Sequence, residues 1–215
     1  MDGTAAEDGA SPAHIKATRE DWLRLALDVL VSDGIGEVKV LALARRLDVS
    51  RSSFYWYFGS RQDLLDALLD RWNATNTRAV LAHAEAPMPT ITAAVAHVFR
   101  CFVDPDLFSP RLDFAVREWS RRSGAVRRVL DRADDRRLAA LTAMFARHGY
   151  TDGEAETRAR VLYFMQIGYY ALELGEPLED RLDRVGDYLL AFTGRHASEA
   201  EIAEVRRFAR AVAAR

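Results

Sequence analysis

At 215 residues the chain is long enough for a small module plus one domain with a sizeable core, and its hydrophobic (49%) and charged (29%) fractions are those of a globular protein. A formal net charge of −2 argues against indiscriminate binding to nucleic acids, and the single cysteine, Cys101, excludes an intrachain disulfide and fits a reducing compartment. The first residues lack the basic-then-apolar layout of a signal peptide and the longest apolar run is too short to span a bilayer, so we expect a cytoplasmic protein with no membrane partner.

The N-terminal third of the chain contains the signals of three short helices. Residues 1–15 are small, acidic and without periodicity, which predicts a disordered tail. Thr18 and Asp21 have the spacing of a capping box at the start of a first helix, and Gly34 marks its end. A short second helix follows, and after a three-residue turn a third helical run is predicted over residues 51–58.

The remainder of the chain is predicted to be helical as well. A capping pattern at Ser60 starts a long fourth helix that we expect to reach about Leu81. Every later periodic segment has helical spacing, and no alternating strand pattern of useful length appears. We therefore predict an all-α fold, with an N-terminal three-helix helix-turn-helix domain in residues 16–62 and a helical-bundle domain in residues 63–215.

The helix, tight turn and helix across residues 38–58 predict a DNA-binding motif whose second helix enters the major groove. Residues 16–61 carry eight Lys and Arg against six Asp and Glu residues. Arginine can bond a guanine edge and serine can donate to bases or phosphates, whereas Phe54 and Phe58 are spaced to face the core. The alternative is a small helical bundle with a solvated basic face. The predicted DNA contacts are Lys39, Arg45, Arg46, Ser50, Arg51, Ser52, Ser53, Tyr55, Trp56, Tyr57, Ser60 and Arg61.

Residues 43–65, LARRLDVSRSSFYWYFGSRQDLL, resemble the signature of the tetracycline-repressor (TetR) family of bacterial regulators. The shared features are a Leu-Ala pair, a Val-Ser turn, an aromatic run and an acidic-Leu-Leu ending. The resemblance implies that residues 50–53 face bases, that Tyr55 and Tyr57 contact bases or phosphates, and that Arg61 stands where the family usually has a phosphate-binding lysine. Asp48 departs from the family's usual turn glycine, and Lys39 from its hydroxyl-bearing cap.

The C-terminal part of the chain contains a candidate dimer interface. Residues 161–172 are apolar nearly all round, so this helix must be buried on more than one face, and a glycine within it would allow close approach of a second helix. A second apolar stripe follows in residues 178–192. We predict a four-helix dimer contact, which the resemblance also implies; the alternative is that both helices are simply core. The predicted interface residues are Gly168, Tyr169, Leu182, Val185, Leu189 and Phe192.

A small-molecule pocket is also predicted in this part of the chain. Its aromatic residues are dense, and a few polar groups lie among them, as in pockets for apolar ligands. Gln166 is the most informative, because a mid-helix amide among apolar neighbours needs a partner. The alternative is that the aromatics only fill the core. The predicted ligand contacts are Phe99, Phe114, Arg117, Trp119, Tyr163, Gln166 and Tyr170, for a small apolar or aromatic effector.

The sequence contains little that favours an enzyme. The five histidines are scattered without metal-ligand spacing, and no nucleophile elbow or phosphate loop is present, so we expect no catalysis, metal or cofactor. The predicted function is a homodimeric repressor that binds double-stranded operator DNA and is released by a ligand. Two alternatives stay open: a regulator whose C-terminal domain responds to a protein partner or to no ligand, and a helical enzyme with an incidental basic module.

Overall fold

A computed structural model describes residues 17–215, and the tail predicted for residues 1–15 lies outside that range. Within it the regular structure is helical and no strand is found, which confirms the all-α prediction. The α-helices are α1 (Arg19–Ser32), α2 (Val40–Arg46), α3 (Arg51–Phe54), α4 (Arg61–Trp72), α5 (Arg78–Glu85), α6 (Ile91–Val103), α7 (Pro110–Ser120), α8 (Gly124–Arg147), α9 (Asp152–Ala171), α10 (Leu178–Asp183), α11 (Val185–Thr193) and α12 (Glu199–Ala213).

Local chemistry sets the ends of the first helices. Thr18 Oγ1 accepts a hydrogen bond from Asp21 N (3.2 Å), and the Asp21 carboxylate accepts one from Thr18 N (2.9 Å), which is the predicted capping box. Gly34 has a φ of 81°, in the region that favours glycine, and ends α1 as predicted. Asp48 has a φ of 52° in the turn between α2 and α3, a conformation that Asp adopts more readily than most residues.

The third helix is shorter than the predicted 51–58 run. α3 ends at Phe54, because the following amides bond to carbonyls three residues back, with Tyr55 N to Ser52 O at 3.1 Å and Tyr57 N to Phe54 O at 3.0 Å. This is the tighter winding of a 3₁₀ turn. It brings Phe58 to the buried side together with Phe54.

α4 and α5 form one helical run that is interrupted but does not end near Leu81. Residues 73–77 wind as a π-turn, and the run continues to Glu85. A π-turn shifts the side chains that follow it around the helix axis. Here it buries Asn76, whose amide donates to Ser109 O (2.8 Å) and accepts from Ser109 N (3.2 Å), so the turn is fixed to the start of α7.

Two clusters of buried side chains hold the helices together. The first joins α1–α4 to α7 and the N-terminal half of α8, with Trp22, Leu68 and Trp119 among its members. The second lies among α5, α6, α9, α11 and the C-terminal half of α8, with Phe145 and Leu162 among its members. α8 therefore runs through both clusters and connects the helix-turn-helix region to the rest of the protein.

A buried ion network lies on α8 between the two clusters. The fully buried Arg137 guanidinium donates to Asp113 Oδ1 on α7 (3.0 Å), Tyr163 Oη on α9 (3.0 Å) and Thr77 Oγ1 in the π-turn (2.9 Å). Asp113 also accepts from Trp72 Nε1 at the end of α4, at 2.9 Å. Around this centre, Arg117 binds both Asp113 and Asp134. We call the network of Trp72, Thr77, Asp113, Arg117, Asp134, Arg137 and Tyr163 the Arg137 hub.

The charges of the hub compensate for their burial. Burial by itself would raise the pKa of the Asp113 carboxyl, but the charges of Arg137 and Arg117 outweigh that effect and hold the pKa below its ordinary value. Burial also raises the pKa of Tyr163, so its hydroxyl keeps its proton and donates to Asp134 Oδ1 at 2.7 Å. The buried Asp113 carboxylate and the Arg117 and Arg137 guanidiniums are thus ionised and paired.

We expect Arg137→Met to lower the free energy of unfolding by about 3–5 kcal/mol, because it leaves the buried Asp113 carboxylate with one cation fewer. Urea unfolding followed by circular dichroism would measure the loss. Arg127→Met is the matched control on the same helix: it removes only an exposed pair with Asp131 (2.7 Å) and should change the free energy by less than about 0.5 kcal/mol. Equal losses from the two variants would contradict the stabilising role of the hub.

Candidate nucleic-acid interface

The helix-turn-helix rests on an aromatic platform. Phe54 and Phe58 are buried, as predicted, and their rings stack with centroids 5.2 Å apart. Trp22 of α1 meets Phe54 edge to face at 5.2 Å, and the Arg19 guanidinium lies 5.0 Å from the centre of the Phe58 ring. These contacts fix α3 and the turn after it on α1.

The side chains between the two anchors face solvent. Tyr55, Trp56 and Tyr57 are 49%, 84% and 38% exposed. Arg51 donates to Tyr55 Oη at 3.2 Å, and its guanidinium lies 5.9 Å from the centre of that ring. A large aromatic side chain left in water gains nothing from folding, so this face is a candidate contact surface.

The serines at the start of α3 differ in what they can still bind. Ser50 Oγ and Ser52 Oγ lie 2.8 Å apart and both residues are exposed, so their hydroxyls can be offered to a ligand. Ser53 is half-buried and its hydroxyl already donates to Ser50 O at 2.8 Å. Of these serines, Ser53 has the least capacity for a contact outside the protein.

The basic residues around α2 also differ. Arg46 is paired with Asp33 (2.9 Å) and Lys39 with Glu37 (3.0 Å). Arg45 is exposed, and its side chain has no ion-pair partner among residues 17–215. Exposed pairs contribute only about 0–1 kcal/mol, so a phosphate could take the place of either carboxylate.

Ser60 and Arg61, at the start of α4, make contacts within the protein. Ser60 Oγ donates to Asp63 Oδ1 (2.6 Å), and this hydrogen bond holds the pKa of the Asp63 carboxyl below its ordinary value. Arg61 Nε donates to Val38 O (2.7 Å) and its Nη2 to Ile35 O (3.2 Å). Arg61 therefore ties α4 to the segment before α2, a role that its sequence position did not indicate, since both partners lie far from it in the chain.

Sequence reasoning also did not single out Leu41, which is 50% exposed on α2. The inward residues of this helix are Leu43 and Ala44. Leu41 does not belong to that inward-facing stripe. An apolar residue outside the buried stripe of a helix is expected to be exposed, so the sequence could have indicated this group.

The predicted effector residues are not brought together at one place. Phe99 and Gln166 line a cavity among α6, α9, α10, α11 and α12. Phe114 and Tyr170 line a shallow cleft outside it. Arg117 and Tyr163 belong to the Arg137 hub, and Trp119 belongs to the first core cluster.

The predicted dimer residues fall into two groups. Leu182, Leu189 and Phe192 are buried within the protomer, because α10 and α11 pack these side chains inward. Gly168, Tyr169 and Val185 are half-buried, and the latter two also line the cavity that contains Gln166. The first group has little surface to offer a partner.

Neither a metal cluster nor a membrane span is found in the part of the chain that the structure describes. Among residues 17–215 no three His, Cys, Asp or Glu side chains are grouped so that they could hold a metal ion. No helix in the same range is long and apolar enough to cross a membrane.

The short helices, the aromatic platform and the exposed face define a helix-turn-helix protein with a larger helical region behind the motif. The family model described as bacterial regulatory proteins, tetR family, matches residues 23–68. Residues 23–68 are therefore similar to the DNA-binding domain of TetR-family regulators.

Two curated relatives from Pseudomonas putida match this region. The HTH-type transcriptional regulator TtgW is 33% identical over 57 residues, which cover 26% of this chain and 42% of TtgW. The HTH-type transcriptional regulator SrpR is 32% identical over 57 residues, which cover 26% of this chain and 27% of SrpR. The match thus spans less than half the length of either relative.

Solved structures share the fold over nearly the whole chain. Mycobacterium smegmatis AmtR has a TM-score of 0.62 at 19% identity, over 91% of this chain and 94% of that protein. Salmonella enterica GusR has a TM-score of 0.57 at 16% identity, over 96% of this chain and 98% of that protein. At such identities the likeness shows the fold alone.

The contrast between Phe54 and Trp56 can be measured directly. We expect Phe54→Ala to lower the free energy of unfolding by about 3–5 kcal/mol, because it leaves a cavity beneath the motif. Trp56→Ala should change it by less than about 0.5 kcal/mol, because the side chain has few contacts to lose. Chemical denaturation of both variants tests this, and a large loss from Trp56→Ala would show that this side chain is structural.

Proposed function

We propose that the protein is a sequence-specific DNA-binding transcriptional regulator, acting as a homodimeric repressor that a small molecule releases from its operator. The observation that carries the proposal is the outward face at α3, where Arg51, Tyr55 and Trp56 stand on two buried phenylalanines. An exposed aromatic and hydroxyl face beside basic side chains suits base edges and phosphates. The match of residues 23–68 to the tetR family model supports the same proposal.

In this proposal residues 16–62 read DNA and residues 63–215 dimerise and bind the effector. Ser50, Arg51 and Ser52 contact base edges, because they are exposed at the start of the helix that enters the groove. Tyr55 and Tyr57 place hydroxyls against phosphates, and Trp56 supplies apolar contact. The basic residues around α2 add contacts to the phosphate backbone.

The test is selection of binding sites from random DNA duplexes by the full-length protein, followed by titration at several salt concentrations. We expect enrichment of one pseudo-palindromic sequence with half-sites roughly 34 Å apart, because a two-fold dimer presents two recognition helices. An Arg51→Ala, Trp56→Ala double variant should lose the preference. Failure to enrich any sequence above competitor DNA would exclude a specific regulator.

The proposed dimer uses the exposed side of α9 and α11. Val161, Phe164 and Leu172 are 52%, 52% and 69% exposed at helical spacing, and a Cβ added at Gly168, between them, would meet nothing within 4 Å. Tyr188, on α11, is also exposed, at 38%. Apolar side chains exposed in a row favour a partner surface, and a two-fold axis would place the stripe against its own copy.

We expect the substitutions Arg51→Ala and Arg61→Ala to weaken DNA binding in different ways. Arg51→Ala should cost about 1–3 kcal/mol of binding to the selected sequence and relax preference at one base position. Arg61→Ala should weaken all sequences alike. If the slope of the logarithm of the binding constant against the logarithm of the salt concentration falls by about one, Arg61 contacts a phosphate. An unchanged slope would attribute the loss to its hydrogen bond with Val38. Anisotropy with selected and shuffled duplexes measures both, and equal losses on the two duplexes for Arg51→Ala would remove its role in base reading.

The dimer stripe predicts that Phe164→Glu gives a folded monomer. A carboxylate there would be buried without a partner on both sides of a two-fold interface, whereas the isolated protomer leaves the position exposed. Sedimentation velocity would detect the change, and affinity for the selected duplex should fall with the dimer. Ala143→Glu, which puts the same charge on the exposed side of α8, is the control and should leave the dimer intact. A dimeric Phe164→Glu protein would place the interface elsewhere.

A further inference from the structure

The cavity that Gln166 lines is mostly apolar, and its polar side chains are Gln166, Tyr169, Glu176, Arg181 and Tyr188. Its volume is about 100 Å³, and its walls come from α6, α9, α10, α11 and α12. Phe99, Leu182, Leu189 and Ala209 supply apolar surface. An engineered apolar cavity of about 150 Å³ binds benzene, so this one suits a slender body of about four to six carbon atoms.

Gln166 is one of the polar groups on the wall. The residue is only 5% exposed, and the Tyr170 hydroxyl is the one partner of its side-chain amide among residues 17–215. The Tyr170 hydroxyl lies near this amide but donates its proton to Phe102 O, at 2.6 Å. A buried amide with unmet hydrogen-bonding capacity is costly, and native structures keep few of them. The amide has further donors, which an oxygen of a bound molecule could accept from.

Arg181, on α10, is another of these polar groups. Its guanidinium lies 5.0 Å from the centre of the Tyr169 ring, and no carboxylate among the described residues is within ion-pair distance. The nearby Glu176 is engaged elsewhere: it pairs with Arg184 at 2.7 Å and accepts from Tyr169 Oη at 3.2 Å. The cavity wall therefore carries a cation whose charge is not neutralised by an ion pair.

We infer that the cavity binds a monocarboxylate with a slender apolar body, and that Arg181 is its counter-ion. This rests on the proposal that the region binds an effector, and it names the chemical class. A planar guanidinium matches a carboxylate in a two-pronged hydrogen bond, and the apolar lining takes the hydrocarbon part. Among the described residues of the wall, Arg181 is the cation, and the Glu176 carboxylate beside it is already paired with Arg184, which suits one added negative charge rather than the two of a phosphate monoester.

α10 is the part of the wall that can admit the molecule. It is six residues long and is held to α12 by the Arg210 pair with Glu179 (2.6 Å) and by Arg206 Nε, which donates to Leu182 O at 3.1 Å. The salt bridge is exposed and therefore weak. Movement of α10 would open the cavity without disturbing the Arg137 hub.

Calorimetric titration of the full-length protein, without DNA, with hexanoate and hexan-1-ol tests the inference. The two probes share an apolar chain and differ in charge. We expect hexanoate to bind at one site at least about tenfold more tightly than hexan-1-ol, since a charged hydrogen bond is lost with the alcohol. Arg181→Gln should weaken hexanoate about tenfold and leave hexan-1-ol unchanged.

Two further variants locate the site. Arg207→Gln makes the same change at an exposed position on α12 outside the cavity and should bind hexanoate like the wild type. Ala209→Leu should fill the cavity and abolish binding of both probes, with unchanged circular dichroism as the check on folding. No binding of hexanoate, equal binding of the two probes, or an unaffected Arg181→Gln protein would each overturn the inference. Because DNA is absent, these results are independent of the site selection that tests the regulator itself.

Discussion

The Arg137 guanidinium has no exposed surface, and it is stable there only because carboxylate and hydroxyl oxygens accept its hydrogen bonds. These oxygens belong to different elements of the fold. Arg137 joins α7, α9 and the π-turn to α8. Removing a charge from water costs several kcal/mol, so arrangements of these elements that break its contacts are disfavoured. Because the pKa of Asp113 lies below its ordinary value, its carboxylate stabilises the fold at pH above the ordinary carboxyl pKa. This contribution is lost as the pH falls through the folded-state pKa of Asp113.

The hub also determines how the helix-turn-helix is attached. α4 packs its apolar side in the first core cluster and delivers the Trp72 indole to Asp113, and the π-turn that follows delivers Thr77 to Arg137. A straight α-helix through residues 73–77 would present different side chains to the hub. The π-turn thus reconciles the direction of α4 with the hydrogen bonds of the hub, and any tilt of α4 relative to α8 has to deform this junction.

The parts of the protein that sequence could predict are those whose causes are local. The capping box at Thr18, the turn at Asp48 and the burial of Phe54 and Phe58 depend on neighbours within a few residues, and the structure agrees with each of them. Arg117 and Tyr163 were predicted to contact a ligand because the sequence does not show which side chains they bind. Asp134, which binds both, becomes their neighbour only when α7, α8 and α9 are packed together. The π-turn and the hydrogen bonds of Arg61 could not be predicted either, because they also depend on residues distant in the chain.

Residues of α9 take part in the hub, in the cavity wall and in the proposed dimer stripe. Tyr163 reaches the hub, Gln166 reaches the cavity less than one turn later, and Phe164 between them faces solvent in the proposed dimer stripe. A molecule in the cavity would press on a helix whose other residues contact the hub and form the proposed dimer stripe. Packed interiors respond to such pressure by shifting whole helices rather than by local compression. In the proposed dimer, a small displacement of α9 would therefore change the spacing of the two recognition helices without any change within the motifs themselves. By reciprocity, operator DNA that holds the proposed dimer at a fixed spacing would weaken the binding of that molecule.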